Sequence, residues 1–367
     1  MKLEKGVVSN TQLIFLIMSF MQSMIMTVGF NYPLTKQDTW IAALAAFGLT
    51  LLMVLVYTSI AKKFAGLNLV QINDEVFGVY FGKVITALYI WFFFQLIIHY
   101  LYFFNSFWIT YIMPETPRFA FLAMAVFICA FSIRSGIEVV SRCYVLLYAA
   151  VLVMVIGVTL LLIKDANPSN LLPILQSTPK DFIQSTHIFL TIAFCDIVVF
   201  LMIFPYTADN QNLKKPVLIA VCFSALFLLM VIFREILVGG ARIYSSNTPN
   251  FALSREIDIA VILTRLDILV ALNLFITVIM KITIFFYATS LSIAQTLKLK
   301  SYQPLLIPLG ALCVTIAINL YPSDMEQFYA GQFIWPFNAG LMEIVIPIIT
   351  LIVIAIRKLP KKGELSK

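Results

Sequence analysis

A carboxylate, Asp196, stands near the middle of the apolar stretch Phe182–Tyr206, and an ammonium, Lys281, stands ten or more residues from either end of another, 266–291. Placing one ionisable group in hydrocarbon costs roughly 2.5–3.5 kcal/mol even on the gentler insertion scale, so each must be paired or do chemistry. Asp196 can accept a ligand ammonium, carry a proton, or pair with an internal cation. Lys281 is too deep to reach the interface with its stem, so it needs an acid, and Asp196 or Glu235 can supply one. A Lys at this depth can also stand in for a coupling cation. Arg234 and Glu235 near one end of the run 216–238 read as a local pair, and Glu343 in the run 337–357 is a further intramembrane charge.

Neutral polar groups gather in the same runs. Ser19, Gln22, Ser23 and Thr27 recur at intervals of three and four, which puts them on one face of a straight helix. Thr191, Phe194 and Cys195 cluster around Asp196, with Pro205 following. Gln95, His99 and Tyr102 share a face of the run 84–112, and Asn273, Thr277 and Lys281 lie at intervals of four with Thr283 beyond. Together these define a candidate ligand-binding set of hydrogen-bonding groups, with Lys281, Asp196 and Glu235 as charge partners. A lone histidine in such a run is more often a packing residue than a metal ligand, so no metal is expected. Phosphate-binding glycine loops, HExxH and paired carboxylates in a soluble cleft are missing from the sequence, so neither enzyme chemistry nor a cofactor is expected.

The elements that must position these residues are membrane helices. Of 367 residues, 61% are hydrophobic and 12% charged, with a mean hydropathy of +0.97, against about 25% charged in soluble domains. Runs of spanning length fall at 11–32, 40–60, 84–112, 119–133, 143–163, 183–206, 216–238, 266–291, 304–321 and 337–357, which predicts ten helices in one transmembrane domain. The opening run is read as a retained first helix, since it is too long for a signal peptide.

Lys and Arg concentrate in alternate connections: Lys62, Lys63 and Lys83; Arg134 and Arg142; Lys214 and Lys215; Lys298 and Lys300; and the basic tail 358–367. By the positive-inside rule both termini are cytoplasmic. That distribution also accounts for the net charge of +7 without nucleic acid. The five cysteines lie in apolar runs without CxxC spacing and imply neither disulfides nor zinc. Residues 66–83 and 250–265 alternate at helical spacing, predicting amphipathic helices on the cytoplasmic and external surfaces. Ten helices divide as five plus five, 11–163 and 183–357, and in inverted-repeat transporters the binding site lies at the first helix of each half. The polar centres of the first and sixth runs fall at corresponding depth.

Several stretches carry a resemblance: SNTQL (9–13), GLNLVQINDEVFGVYFGKVI (66–85), AFCDIVVFLMIFPY (193–206), PNFALSREIDIA followed by TRLD (249–267), and YPSDMEQF (321–328). The chain resembles, nearly end to end, the integral-membrane B subunit of GerA-type nutrient germinant receptors of bacterial endospores, the spore germination permease family of the amino acid–polyamine–organocation superfamily. The resemblance implies an all-α, five-plus-five inverted-repeat (LeuT-like) fold with discontinuous helices 1 and 6. It implies sensing of a small germinant, typically an amino acid, together with an A subunit and a C lipoprotein in the spore inner membrane. The family commonly has Phe-Gly-Glu where this chain has Phe194-Cys195-Asp196, which retains the acid and loses the glycine; helix 1 is likewise poorer in glycine. A proton- or sodium-coupled amino-acid permease is the alternative on the same fold, and a structural partner with a vestigial pocket is a third reading.

Overall fold

The computed structural model describes Glu4 and residues 6–255 and 266–360. Among these the regular structure is helical, apart from one parallel bridge between Val8 and Thr207. Helix 1 begins at a capping box: the Ser9 hydroxyl accepts from the Gln12 N–H and the Gln12 side chain accepts from the Ser9 N–H. It runs as α1 (Asn10–Gln22), tightens into a 3-10 segment (Ser23–Thr27), and resumes as α2 (Val28–Thr35). Then follow α3 (Thr39–Lys63), α4 (Leu69–Phe77), α5 (Val79–Tyr111), α6 (Arg118–Arg134) and α7 (Ile137–Leu162). Helix 6 starts as α8 (Pro179–Ile188), passes through a π segment (Phe189–Phe194) and continues as 3-10 turns, Cys195–Met202 and Phe204–Tyr206. After it come α9 (Lys214–Gly239), α10 (Pro249–Arg255), α11 (Leu266–Thr296), α12 (Leu306–Ile318) and α13 (Asp324–Phe333). The last span joins α14 (Trp335–Gly340) to α15 (Ile346–Ile356) through another π segment, Leu341–Val345.

A helical element overlaps each of the ten predicted runs among the described residues. Seven segments are long and apolar enough to cross a membrane, the first of them, Asn10–Lys63, holding both α1–α2 and α3. The sequence places the boundaries within a few residues but misses the linkers. Residues 66–83 are not one helix: Gly78, at φ +85° and ψ 165°, ends α4, and the rest of that stretch opens α5. Only glycine adopts that backbone region cheaply. The connection YPSDMEQF contains the start of α13, capped by Ser323. Of the predicted helix 250–265, α10 covers the first part, and 256–265 lie outside the described residues, as does the tail beyond Pro360.

Helix 6 lies at the centre. The apolar window within Pro179–Met202 is 94% buried, against 28% for Ile137–Asp165, which lies at the outside of the bundle. α1 packs on α7, α9 and α11, and α11 runs along α5. With no water in hydrocarbon, each hydroxyl needs an internal partner. Ser and Thr find it mostly on their own helix, as Thr50 does on the Ala46 carbonyl and Thr289 on that of Phe285. At the end of the bundle holding the N-terminus, the Val8 N–H donates to the Tyr206 carbonyl (2.8 Å) and the Ala208 N–H to the Val8 carbonyl (2.9 Å). There too Tyr302 donates to Glu4 Oε2 (3.0 Å). At the opposite end, the Asp38 carboxylate accepts from the N–H groups of Leu175, Gln176 and Ser177 at 2.7–2.9 Å and pins the segment before α8 to the start of α3.

Candidate functional site

Asp196 and Lys281, both fully buried, meet at 2.6 Å (Oδ2 to Nζ). The Tyr100 hydroxyl of α5 donates to the same oxygen (3.1 Å). Lys281 Nζ lies 4.8 Å from the centre of the Phe20 ring and 4.7 Å from that of Tyr100, so the ammonium is ringed by one carboxylate and two π faces, as a desolvated cation requires. Four elements therefore converge on one charge: α1, α5, helix 6 and α11. Glu235 takes no part. It accepts from Tyr32 OH (2.8 Å) and lies 3.9 Å from the Arg234 guanidinium, which donates to Thr159 and Asn250 (3.1 and 2.5 Å).

Two small cavities flank the helix 1 interruption. The first is lined by Gln22, Ser23, Asn247, Asn250, Asn273 and Thr277, the second by Thr27, His99, Tyr100, Ile192, Tyr321 and Trp335. Met26 and Phe103 border both and so divide them. Their volumes of about 40 and 60 Å³ hold a few waters, far below the ~300 Å³ of an open small-molecule pocket. The division corrects the single-face reading of helix 1. A 3-10 turn advances about 120° per residue against 100° for an α-helix, so Ser23–Thr27 is overwound, and Thr27 faces a different cavity from Gln22 and Ser23.

Helix 6 changes register without the glycine that a break was expected to need. Phe194 (φ −101°, ψ −48°) and Cys195 (φ −79°, ψ −8°) stay right-handed. The hydrogen-bond pattern widens to π and then tightens to 3-10, which needs no positive φ.

The remaining candidates separate. Ser19, Ser23, Thr27, Thr191, Thr277 and Thr283 each donate back to a carbonyl of their own helix. Gln95 is half-buried, lines neither cavity, and offers its carbonyl to His99 Nδ1 (2.7 Å). His99 stacks near Trp335 (4.2 Å between centroids). Tyr102 reaches Asp324 of α13 (3.3 Å). Phe194 packs on Phe47, and Cys195 faces Thr50 and Tyr57 of α3, both away from the cavities. Gln22 is 1% exposed; its Oε1 accepts from Tyr148 (3.4 Å), while its Nε2 has no hydrogen-bond partner among the described residues. Sequence reasoning passed over Tyr100 and Trp335, which read as generic aromatics, and gave Glu343 no site role although an acid in the last span was visible.

Residues 7–327 match the family model described as spore germination protein. The chain belongs to the spore germination protein family. It is 26% identical over its whole length to spore germination protein KB of Bacillus subtilis strain 168, covering 98% of that protein, and 20% identical to spore germination protein YndE of the same strain, with 89% of each chain covered. Among solved structures it resembles a nucleobase-cation-symport-1 family transporter in a closed conformation with bromovinylhydantoin bound (TM-score 0.70, 10% identity, 94% of this chain and 78% of that one). It also resembles a sodium-coupled sialic acid symporter in a substrate-bound outward-open state (TM-score 0.65, 10% identity, 94% and 89%). The fold is thus the LeuT-like transporter fold, and this member of the germination family is a multi-pass membrane protein of receptor or permease-like type.

Proposed function

We propose that this chain is the membrane subunit of a nutrient germinant receptor, which binds a small germinant, an amino acid, beside the helix 1 interruption and passes the event to an A subunit and a C lipoprotein in the spore inner membrane, with both termini cytoplasmic. The observation that carries the reading is the Gln22 amide, buried beside a cavity with Nε2 unpartnered among the described residues. An unmade hydrogen bond of a buried group costs about 1–3 kcal/mol, and a bound solute would recover it. The amides of Asn247, Asn250 and Asn273 would complete the polar wall, and the face of Phe103 the apolar one. No catalytic step is assigned to the site.

The deciding experiment is equilibrium binding of labelled amino acids to the purified chain in nanodiscs. Gln22→Leu is expected to weaken binding about 5- to 150-fold, the range of one lost buried hydrogen bond. Unchanged affinity in that variant would refute this placement. The second reading, a proton- or sodium-coupled amino-acid permease, draws on the Asp196–Lys281 pair at the centre of a transporter fold, and uptake of labelled amino acid into proteoliposomes holding this chain alone would favour it. Sodium-dependent binding would contradict Lys281 as a substitute for a coupling ion.

A further inference from the structure

Glu343 sits at the middle of the last span, in the π segment Leu341–Val345, and is fully buried. Neither of its carboxyl oxygens receives a hydrogen bond from an N–H or O–H group of the described residues, and Asp196 Oδ1 likewise receives none. The π segment that bears Glu343 packs against the 3-10 turns Cys195–Met202 that bear Asp196, and the two carboxyls interact, with Lys281 and Cys195 within electrostatic reach. Two interacting carboxyls, each with an oxygen that receives no donor, are hydrogen-bonded to one another only if a proton lies between them. The charge balance gives the same answer. One ammonium and two carboxylates carry a net negative charge, which a fully buried site in hydrocarbon does not hold without compensation. With one proton added, the triad is neutral.

We propose that Asp196 and Glu343 share one exchangeable proton, making the triad with Lys281 a proton-binding site that joins helix 6 to the last span. The other titratable groups facing it are all neutral: Tyr57 of α3, whose hydroxyl donates to the Glu343 backbone carbonyl (2.6 Å); Tyr89 of α5, which donates to the Met342 carbonyl (2.9 Å); Tyr100, on Asp196; and Cys195. None of them replaces the proton. On release, the carboxyl O–H bond breaks, the proton passes to water, and the triad becomes singly negative. Helix 6 and the last span then repel one another. The same two segments supply Ile192 and Trp335 to the wall of the second cavity, so proton occupancy acts on that cavity whatever solute it takes. The inference is independent of the ligand proposed above.

Infrared spectroscopy of the full-length chain in lipid nanodiscs, at a pH where exposed carboxyls are ionised, tests it. A protonated-carboxyl C=O band that shifts in D2O is expected in the wild type and in Glu235→Gln, which removes another fully buried acid. Made in the Glu235→Gln background, both Glu343→Gln and Asp196→Asn are expected to abolish the band, because in each the surviving carboxylate pairs with Lys281. A band surviving Asp196→Asn would mean Glu343 is protonated alone and would overturn the shared proton. So would its absence from the wild type, a measurement that needs no variant to fold.

Discussion

Replacing Lys281 by Met removes the cation paired with Asp196 and leaves two neighbouring buried carboxyls without that counter-charge. Breaking a buried pair from one side costs about 3–5 kcal/mol, and the two ring contacts at 4.7 and 4.8 Å add up to about 2 kcal/mol each when desolvated. Asp196→Asn is expected to be milder, because Glu343 lies within electrostatic reach of the ammonium and can pair with it instead. In the double variant Glu343 keeps the proton, no charge is left buried, and the isosteric amide and thioether fill the space. Its stability should lie well above the sum of the two single losses. Equilibrium unfolding in mixed micelles, followed by the fluorescence of the four tryptophans, gives the three differences and hence the coupling energy, expected to be at least about 2 kcal/mol. Additivity within about 0.5 kcal/mol, the behaviour of sites that do not interact, would refute the pairing and the neutrality argument with it.

Asp38→Ala withdraws the acceptor of three backbone N–H groups, each worth about 1.5–3 kcal/mol toward a charged partner; limited proteolysis within 172–178 should accelerate at least tenfold. Gly78→Ala forces a Cβ into the backbone region at φ +85° and should cost about 1–3 kcal/mol in the same unfolding assay. Burial, and then Glu4, holds the Tyr302 hydroxyl above the ordinary tyrosine range, and burial, with Tyr102 beside it, pushes Tyr321 up to about 12. In a spectrophotometric alkaline titration, Tyr302→Phe and Tyr321→Phe should therefore leave the absorbance rise near pH ~10 unchanged, and a diminished rise there would contradict both placements.

The spans were legible because hydrocarbon imposes a minimum length of apolar chain, and the charged centres because an ion in that chain stands out against it. Lys281 and Asp196 announced themselves by depth alone. What the sequence could not convey was rotation. Ser19, Gln22, Ser23 and Thr27 look coaxial on a uniform 3.6-residue period, but the tighter turn at Ser23–Thr27 aims them apart, and nothing in the residue types SMIMT marks that turn. The register change at Phe189–Met202 was equally hidden, since expectation rested on a glycine and the chain uses π and 3-10 hydrogen bonding instead. Gly78 was readable as a break and was overlooked inside an amphipathic pattern. Glu343 was readable as an acid, yet its partner could come only from the folded arrangement of the sixth and last spans.

The bridge between Val8 and Thr207 makes the beginning of helix 1 and the end of helix 6 mechanically one piece. A load applied to the N-terminus, whether a docked protein, a bulky fusion or a surface tether, is carried by two backbone hydrogen bonds straight onto the segment that bears Asp196. A tag at the first residues is therefore not a neutral handle on this molecule, whereas one beyond Pro360 pulls on the last span, at the opposite side of the shared carboxyls.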